Sequence, residues 1–375
     1  MRAANLTEPI LADNAEAAGE APGAGLMTAA VYRGAGQVCI ETVPIPKIGP
    51  GELLVRVEAC GICHTDLKKI AYDLLPPPRI YGHETAGVVV EAGAGVQNFR
   101  PGDRVALFHH IPCGNCFYCR RRLYAQCSTY KRVGITAGFE PAGGGFAQYV
   151  RVMDWIVRRG VVRVPDGVSM DRACFVEPVN TCYKAIVKCE VQAGDIAAVL
   201  GQGPIGLLFT MLLVRRGAIV YATDPLETRR ELAQKLGAVQ VFETSGEEAA
   251  EAVRSASSGR GADVVLVAAA APGLAEQAVR LSRPGARILL FAQTSGREKI
   301  EIDGASICVQ ERTLLGCYSA DVDLQDESSR LVLDGHLPVD SLVSHRLRLG
   351  QIHSGIEMAT HPDSHTLKII VHPQR

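Results

Sequence analysis

Residues 196–206 read Ile196-Ala197-Ala198-Val199-Leu200-Gly201-Gln202-Gly203-Pro204-Ile205-Gly206. The first five are an unbroken apolar run, which is typical of a strand buried on both faces of a parallel sheet. The glycines after it form the pattern G-x-G-x-x-G at the start of a helical segment. The first permits a tight turn, the second lets a phosphate approach the backbone, and the third lets the helix pack closely on the strand. This context predicts a dinucleotide-binding turn rather than an ordinary glycine turn, with these residues at the cofactor: Gly201, Gly203, Pro204, Ile205 and Gly206.

The sequence that follows keeps alternating buried strands with amphipathic helices. Further strands are expected at 219–223, 239–242, 264–268, 288–291 and 313–317. Helices are expected at 204–216, 227–236, 247–256 and 273–282, the last stopped by Pro284-Gly285. Six strands with helices between them indicate an α/β fold, a doubly wound parallel sheet of the Rossmann type.

An acidic residue marks the expected cofactor preference. Asp224 ends the second of these strands, 23 residues after Gly201. A carboxylate there accepts both ribose hydroxyls of NAD and repels the 2′-phosphate of NADP, so NAD is favoured. Arg229 and Arg230 follow, and either could cover the adenine or partly support NADP.

Composition limits the remaining possibilities. The chain has 375 residues, 47% of them hydrophobic, which is enough for two domains with separate cores. Its formal net charge of −1 gives no electrostatic footprint for nucleic acid or an anionic membrane. The longest apolar run, residues 205–214, is about half of a membrane-spanning helix.

The N-terminus and the cysteines favour the cytosol. Residues 1–26 have no apolar core of a signal peptide and are expected to form a disordered tail. The chain has twelve cysteines, four of which form the compact pattern described below. Most of the others stand in apolar surroundings, as reduced thiols do. We therefore expect a cytoplasmic protein.

Four cysteines form a compact pattern, C-x2-C-x2-C-x7-C, within fifteen residues. Four thiolates at this spacing can close a tetrahedral zinc shell, which leaves no open position for a substrate and is therefore structural. An iron–sulfur cluster is the alternative, but the ferredoxin run has a shorter last spacing and a following proline, whereas Ser128 follows here. A disulfide pair would need an oxidising compartment. The predicted ligands are Cys113, Cys116, Cys119 and Cys127, in a lobe at about residues 109–130.

The chain before the Rossmann pattern has a different character. It consists of short β-rich pieces separated by Gly and Pro turns such as Pro101-Gly102-Asp103. After residue 320 the pattern loosens again and ends in a strand-like segment. We therefore expect a discontinuous β-rich catalytic domain, residues 27–180 and 320–375, around a Rossmann domain at residues 181–319.

Two more motifs complete a family pattern: Cys63-His64-Thr65-Asp66 and Gly82-His83-Glu84. Alone, each is compatible with a core thiol or a core histidine. Combined with the four cysteines and the dinucleotide turn, they resemble the zinc-dependent medium-chain alcohol dehydrogenases, from Thr28 to the C-terminus. The segments Gly102-Asp103-Arg104-Val105 and Gly144-Gly145-Phe146-Ala147-Gln148-Tyr149-Val150 are also similar to that family. The resemblance implies that the β-rich domain is GroES-like.

The resemblance also implies a second, catalytic zinc. Its ligands would be Cys63 and His83, with Glu84 as an inner or outer carboxylate and Asp66 orienting the imidazole. Glu177-Pro178 resembles the Glu-Pro of the sorbitol and threonine dehydrogenase branch, which makes Glu177 the expected third ligand, directly or through water. The alternative third donors are Cys174 and Cys182.

The remaining roles follow from the same resemblance. Thr65 would accept the alcohol proton and His64 would contact the cofactor diphosphate. Lys68 departs from the histidine that completes the proton relay in many relatives, so lysine or solvent would take the proton.

The expected activity is hydride transfer between a secondary alcohol or polyol, or its ketone, and NAD, in a homodimer or homotetramer. The alternatives are an amino alcohol dehydrogenase of the L-threonine type, a primary alcohol dehydrogenase and, outside the enzymes, a zinc-ribbon binding module.

Overall fold

The computed structural model describes residues 25–129, 143–292 and 299–375. Across these residues, none of the helices combines the length and apolar character needed to cross a membrane. The predicted tail of residues 1–26 lies outside the described residues except for its last two. Of these, Leu26 already begins the first strand.

The first half of the described chain is rich in short strands. Its elements are β1 (Leu26–Gly34), β2 (Gln37–Pro44), β3 (Leu53–Gly61), α1 (His64–Ala71), β4 (Arg79–Ile80), β5 (Glu84–Ala92), β6 (Arg104–Leu107), β7 (Tyr149–Val152), α2 (Asp154–Arg159), β8 (Val161–Arg163), α3 (Met170–Ala173) and α4 (Val176–Lys188). Strands β2, β1 and β4 form a three-stranded sheet. Strands β3, β5, β6 and β8 are antiparallel neighbours in a larger sheet, and β7 also pairs with β3.

The middle of the chain forms a six-stranded parallel sheet with its helices. Its elements are β9 (Ile196–Leu200), α5 (Pro204–Arg215), β10 (Ile219–Thr223), α6 (Glu227–Lys235), β11 (Gln240–Phe242), α7 (Glu247–Ala256), β12 (Ala262–Val267), α8 (Leu274–Leu281), β13 (Ser282–Leu290), α9 (Gly304–Cys308) and β14 (Thr313–Gly316). The strand order is β11-β10-β9-β12-β13-β14. This is the doubly wound order, and β9 lies at the point where the order reverses. The predicted Rossmann sheet is confirmed.

The last of the predicted helices ends where the sequence indicates, to within a residue. Helix α8 stops at Leu281, three residues before Pro284, and Pro284-Gly285 lie inside the following strand β13. Gly285 has a φ of +71°, and its N–H donates to the carbonyl of Gln310. The pairing of β12 with β13 shifts register between Ala262 and Val264, which accommodates this irregular start of the strand.

The last elements return to the first half of the molecule. They are α10 (Gln325–Leu333), β15 (Val343–Arg348), α11 (Ile352–Thr360) and β16 (Lys368–His372). Strand β16 pairs antiparallel with β3 and parallel with β15, so both strands join the larger sheet of the β-rich part. Helix α4 runs through residue 180, where the sequence suggests a domain boundary, and it packs against both α5 and α10.

Candidate active site and metal centres

The dinucleotide turn has the geometry that its glycines predict. Gly201 has a φ of +94°, and a Cβ on Gly206 would lie 1.8 Å from the carbonyl oxygen of Gly201. A Cβ on Gly203 would meet only the guanidinium of Arg229, at 3.9 Å. Gly203 is the N-cap of α5 and Pro204 follows at its first position, so the helix N-terminus opens at the turn. The space over Gly203 is the cradle that a diphosphate requires.

Asp224 lies beside this turn at the end of β10. Its Oδ2 accepts the N–H of Gln202 at 2.7 Å, and its Oδ1 accepts the N–H of Leu226 at 2.9 Å. Each carboxylate oxygen retains a lone pair, so a ribose hydroxyl can still donate to it. Arg229 Nη1 lies 3.9 Å from Oδ2, which places this arginine over the turn.

Positively charged side chains surround His64, and one of them, Arg229, also lies at the dinucleotide turn. Arg229 Nη2 donates to the carbonyl of Thr366 at 3.1 Å, while its Nε is buried and has no partner among the described residues. Partial burial and the charges of Lys68, Lys368 and Arg229 lower the pKa of His64. His64 therefore lies within electrostatic range of Arg229, which is the cation placed at the open helix N-terminus.

The four-cysteine lobe is assembled by tight turns. Sulfur atoms of Cys116 and Cys119 lie 3.5 Å apart, and those of Cys113 and Cys119 lie 3.9 Å apart. Zn–S bonds of about 2.3 Å put tetrahedral sulfurs about 3.8 Å apart, so the spacing fits a zinc shell. Backbone N–H groups of Cys113 and Cys119 point at sulfurs of Cys127 and Cys116. All twelve cysteines are free in this structure, so the four of the lobe stand as separate thiols rather than as a disulfide pair.

A second group of metal-binding side chains lies where β3 and β5 meet. One donor atom from each of Cys63, His83 and Glu84 lies within 4.8 Å of the others. Cys63 caps α1, with its sulfur accepting the N–H of Thr65. Gly61 makes room for the group, because a Cβ there would lie 2.0 Å from Glu84 Oε2.

Asp66 holds the imidazole of His83 in this group. The two side chains are buried, and His83 Nδ1 lies 2.9 Å from Asp66 Oδ1. Burial alone would lower the pKa of His83, but the charges and hydrogen bonds of Asp66 and Cys63 together outweigh it and raise the pKa well above its usual value. With Nδ1 donating to Asp66, Nε2 is left as the metal-binding nitrogen.

The sequence did not point to the partner of Glu84. Lys368, the first residue of β16, places its Nζ 2.8 and 2.7 Å from the two carboxylate oxygens of Glu84. Burial would lower the pKa of Lys368, but Glu84 raises it, so the lysine stays charged. A lysine inside the apolar run 367–371 was the available signal, since a lysine is rarely buried without a partner.

Glu177 stands next to this group but not within it. Among the described residues, the donor atoms gathered at this centre within 4.8 Å of one another come from Cys63, His83 and Glu84. Glu177, the expected third ligand, is not among them. Glu177 is the second residue of α4 and is 7% exposed. Burial raises its pKa to about 7, against the opposing charge of His83.

The alternative third donors are not gathered with Cys63, His83 and Glu84. Cys174 and Cys182 are buried, and burial raises the pKa of each thiol well above its usual value. Neither belongs to a metal-binding group of the described residues. Both therefore behave as core thiols in this structure.

Two further residues near the centre escaped the sequence reasoning. Burial raises the pKa of Tyr318, and the charges of His83, Cys63 and Glu177 also act on it. The same tyrosine lines a cavity of about 810 Å³ at the carboxyl ends of β13 and β14. His109, just after β6, lies with its ring centroid 4.7 Å from that of His83. The adjacent pair His109-His110 at the end of an apolar strand was the available signal.

Comparison with known proteins agrees with this geometry. Residues 49–166 match the model of the alcohol dehydrogenase GroES-like domain, and residues 204–333 match that of the zinc-binding dehydrogenases. The chain belongs to the zinc-dependent medium-chain dehydrogenases.

The medium-chain dehydrogenase relatives cover nearly the whole chain. A sorbitol dehydrogenase of Bacillus subtilis is 28% identical over 93% of this chain and 98% of its own. An L-threonine 3-dehydrogenase of Pyrococcus abyssi is 32% identical over 82% of this chain and 87% of its own. A crystal structure from Sinorhizobium meliloti 1021, described as a zinc-binding dehydrogenase bound to NADP, superimposes with a TM-score of 0.83 at 31% identity, covering 93% of this chain and 99% of that one.

Membership of this dehydrogenase family confirms that the chain is an oxidoreductase of the alcohol and polyol type. The donor chemistry fits the family's metal, since thiolate, imidazole and carboxylate are all zinc ligands. The open space over Gly203 and the cations around it fit a dinucleotide.

Proposed function

We propose that this dehydrogenase oxidises a secondary alcohol or polyol, or reduces the matching ketone, with NAD. One observation carries the proposal: a short segment joins the cofactor turn to the metal-binding group. The carbonyl of Thr366 accepts a bond from Arg229 over the turn, and two residues later Lys368 binds Glu84. A nicotinamide cofactor and a substrate on the metal would therefore meet in one cleft.

Each residue then has a defined task. Cys63, His83 and Glu84 would hold the catalytic zinc, and Glu177 would complete the site from α4. When bound, zinc lowers the pKa of the substrate hydroxyl and the nicotinamide accepts the hydride. Thr65, in the first turn of α1, would take the hydroxyl proton.

The cofactor would be held by the second set of residues. Arg229 would supply positive charge for the diphosphate at the N-terminus of α5, and His64, whose pKa is lowered, would contact it as a neutral imidazole. Asp224 would accept the ribose hydroxyls. The carboxylate supports NAD over NADP, although the Sinorhizobium meliloti relative binds NADP.

Substrate class can be settled by a reduction assay. Zinc-loaded protein would be given 2,3-butanediol, sorbitol, 2-butanol, ethanol and L-threonine with NAD or NADP. We expect NADH from the secondary carbinols, loss of turnover with chelator, and recovery on adding zinc. Cys63→Ser should be inactive, whereas Cys39→Ser, a half-buried thiol on β2 outside both metal groups, should be unchanged. Absence of cofactor reduction with every alcohol would refute the proposal.

An amino alcohol of the threonine type is the second candidate. The threonine dehydrogenase relative and the buried carboxylate of Glu177, beside the metal group, both favour it. In the same assay, a kcat/KM for L-threonine above that for the diol would select it. We also infer that the enzyme is cytoplasmic.

A further inference from the structure

The carboxylate of Glu177 is engaged through one oxygen only. Thr181 Oγ1 donates to Glu177 Oε1 at 3.3 Å, and Nδ1 of His109 lies 3.6 Å from the same atom. In the described part of the chain, no hydrogen bond reaches Oε2. One face of the carboxylate is therefore held and the other is left for a different partner.

His109 is packed between other side chains, and among the described residues its Nδ1 has no hydrogen-bond partner. Its side chain is 7% exposed, and its ring lies between those of His83 and His110, with centroids 4.7 and 4.0 Å away. Its Nδ1 is buried and forms no hydrogen bond with the described residues. A buried nitrogen left in this way is costly, so it indicates a contact that closes in the working state.

The missing contact is close to Glu177. The distance of 3.6 Å between His109 Nδ1 and Glu177 Oε1 exceeds the usual range of an N–H···O hydrogen bond by about half an ångström. Catalytic hydrogen bonds are often long in the free protein and tighten in the complex. An N–H on Nδ1 would then donate to Oε1 of Glu177.

Thr181 acts on the same oxygen from within the helix. It lies one turn after Glu177 on α4, and its hydroxyl also lies 3.2 Å from the backbone carbonyl of Glu177. The hydroxyl of Thr181 is therefore held against its own helix, and it holds the carboxylate of Glu177 there as well. His109 and Thr181 thus approach Oε1 from different elements.

We propose that His109 and Thr181 are positioning residues that anchor Oε1 of Glu177 so that Oε2 faces the catalytic metal. A ligand anchored by outer hydrogen bonds keeps its orientation, and such contacts commonly change metal affinity by about 10-fold to 100-fold. Asp66 fixes His83 in the same manner. This assignment rests on the proposed place of Glu177 at the metal.

The test measures zinc release rather than turnover. His109→Phe keeps the ring and removes its nitrogens, and Thr181→Val keeps the shape and removes the hydroxyl. Zinc-loaded protein would be mixed with a chromogenic chelator and the two release phases followed. We expect each variant to release the labile zinc about tenfold faster. The slow zinc of the four-cysteine lobe and the control Thr42→Val, on β2, should match the unmodified protein.

Glu177→Ala separates the possible outcomes. This variant should itself release the labile zinc faster, and adding His109→Phe or Thr181→Val to it should change nothing further. If Glu177→Ala has no effect, Glu177 is not a donor, and the proposed ligand set fails together with the positioning role. If Glu177→Ala acts but the other two variants do not, or if they act equally in its background, only the positioning role is refuted. Thr181→Val carries the test should His109→Phe fail to fold.

Discussion

Replacing Lys368 by methionine should destabilise the protein by about 3–5 kcal/mol, since removal of one partner leaves the other charge buried. Lys368 Nζ lies 2.8 and 2.7 Å from the oxygens of Glu84. The two side chains are only 6% and 2% exposed, so water cannot replace the lost ammonium. An exposed pair of the same geometry would contribute about 0.2–1 kcal/mol.

Glu84→Gln in the same background tests the cause. With both charges removed, the double variant should be more stable than the sum of the single effects by about 1–3 kcal/mol. The single tryptophan, Trp155, lies on α2 in the β-rich part and reports its unfolding by fluorescence in guanidinium chloride. Lys47→Met, at an exposed position before β3, is the control and should stay within about 0.5 kcal/mol of the unmodified protein. A loss below about 1 kcal/mol for Lys368→Met, or strict additivity, would refute the buried-pair reasoning.

Four other predictions follow from the two metal groups, the cofactor turn and the sheet edge. Mass spectrometry should find two zinc ions per chain, with Cys113→Ser lowering folding stability and Cys63→Ser mainly abolishing turnover; a single zinc would contradict this. Asp224→Gly should weaken NAD and relieve repulsion of NADP, so the ratio of their kcat/KM values should shift towards NADP; unmodified enzyme that already prefers NADP would show the assignment to be wrong. In metal-free protein the pKa of Glu177, raised from 4.5 to about 7, makes the folded state bind the proton more tightly. As the pH rises from about 4.5 to 7, the unfolding free energy should therefore decrease, by up to about 3 kcal/mol. Urea titrations of Glu177→Gln should show a flatter dependence on pH. Light scattering should give a homodimer or homotetramer, since in the described part of the chain β14 (Thr313–Gly316) is the last strand of its sheet, and a monomer at micromolar concentration would count against it.

Local sequence signals were sufficient for the cofactor half of the molecule. The apolar run before Gly201 and the glycine spacing predicted β9, the turn and α5, because a buried parallel strand and a helix N-terminus each impose residue types at fixed positions. The predicted bounds of β9 and β10 agree with the structure to the residue. The helix before Pro284-Gly285 ends at Leu281 as predicted, but the pair itself lies in β13 because pairing between neighbouring strands outweighed its usual turn preference.

The catalytic site also combines features that local sequence signals predict with features that depend on contacts between distant segments. Short spacing along the chain was enough to predict the cysteine lobe, because its four donors lie on neighbouring turns. The contact between Asp66 and His83 was implied by the family resemblance. Lys368 could not be assigned in this way, because it lies 284 residues from Glu84 in sequence. The two side chains meet only when β16 joins the sheet beside β3. His109 and Glu177 likewise come together from a loop after β6 and from α4. The sequence by itself determined which donors and glycines this protein carries, because those depend on residue type and local spacing. Only the tertiary structure decided that Glu84 lies with Cys63 and His83 while Glu177 lies beside His109, because burial and long-range pairing set those distances.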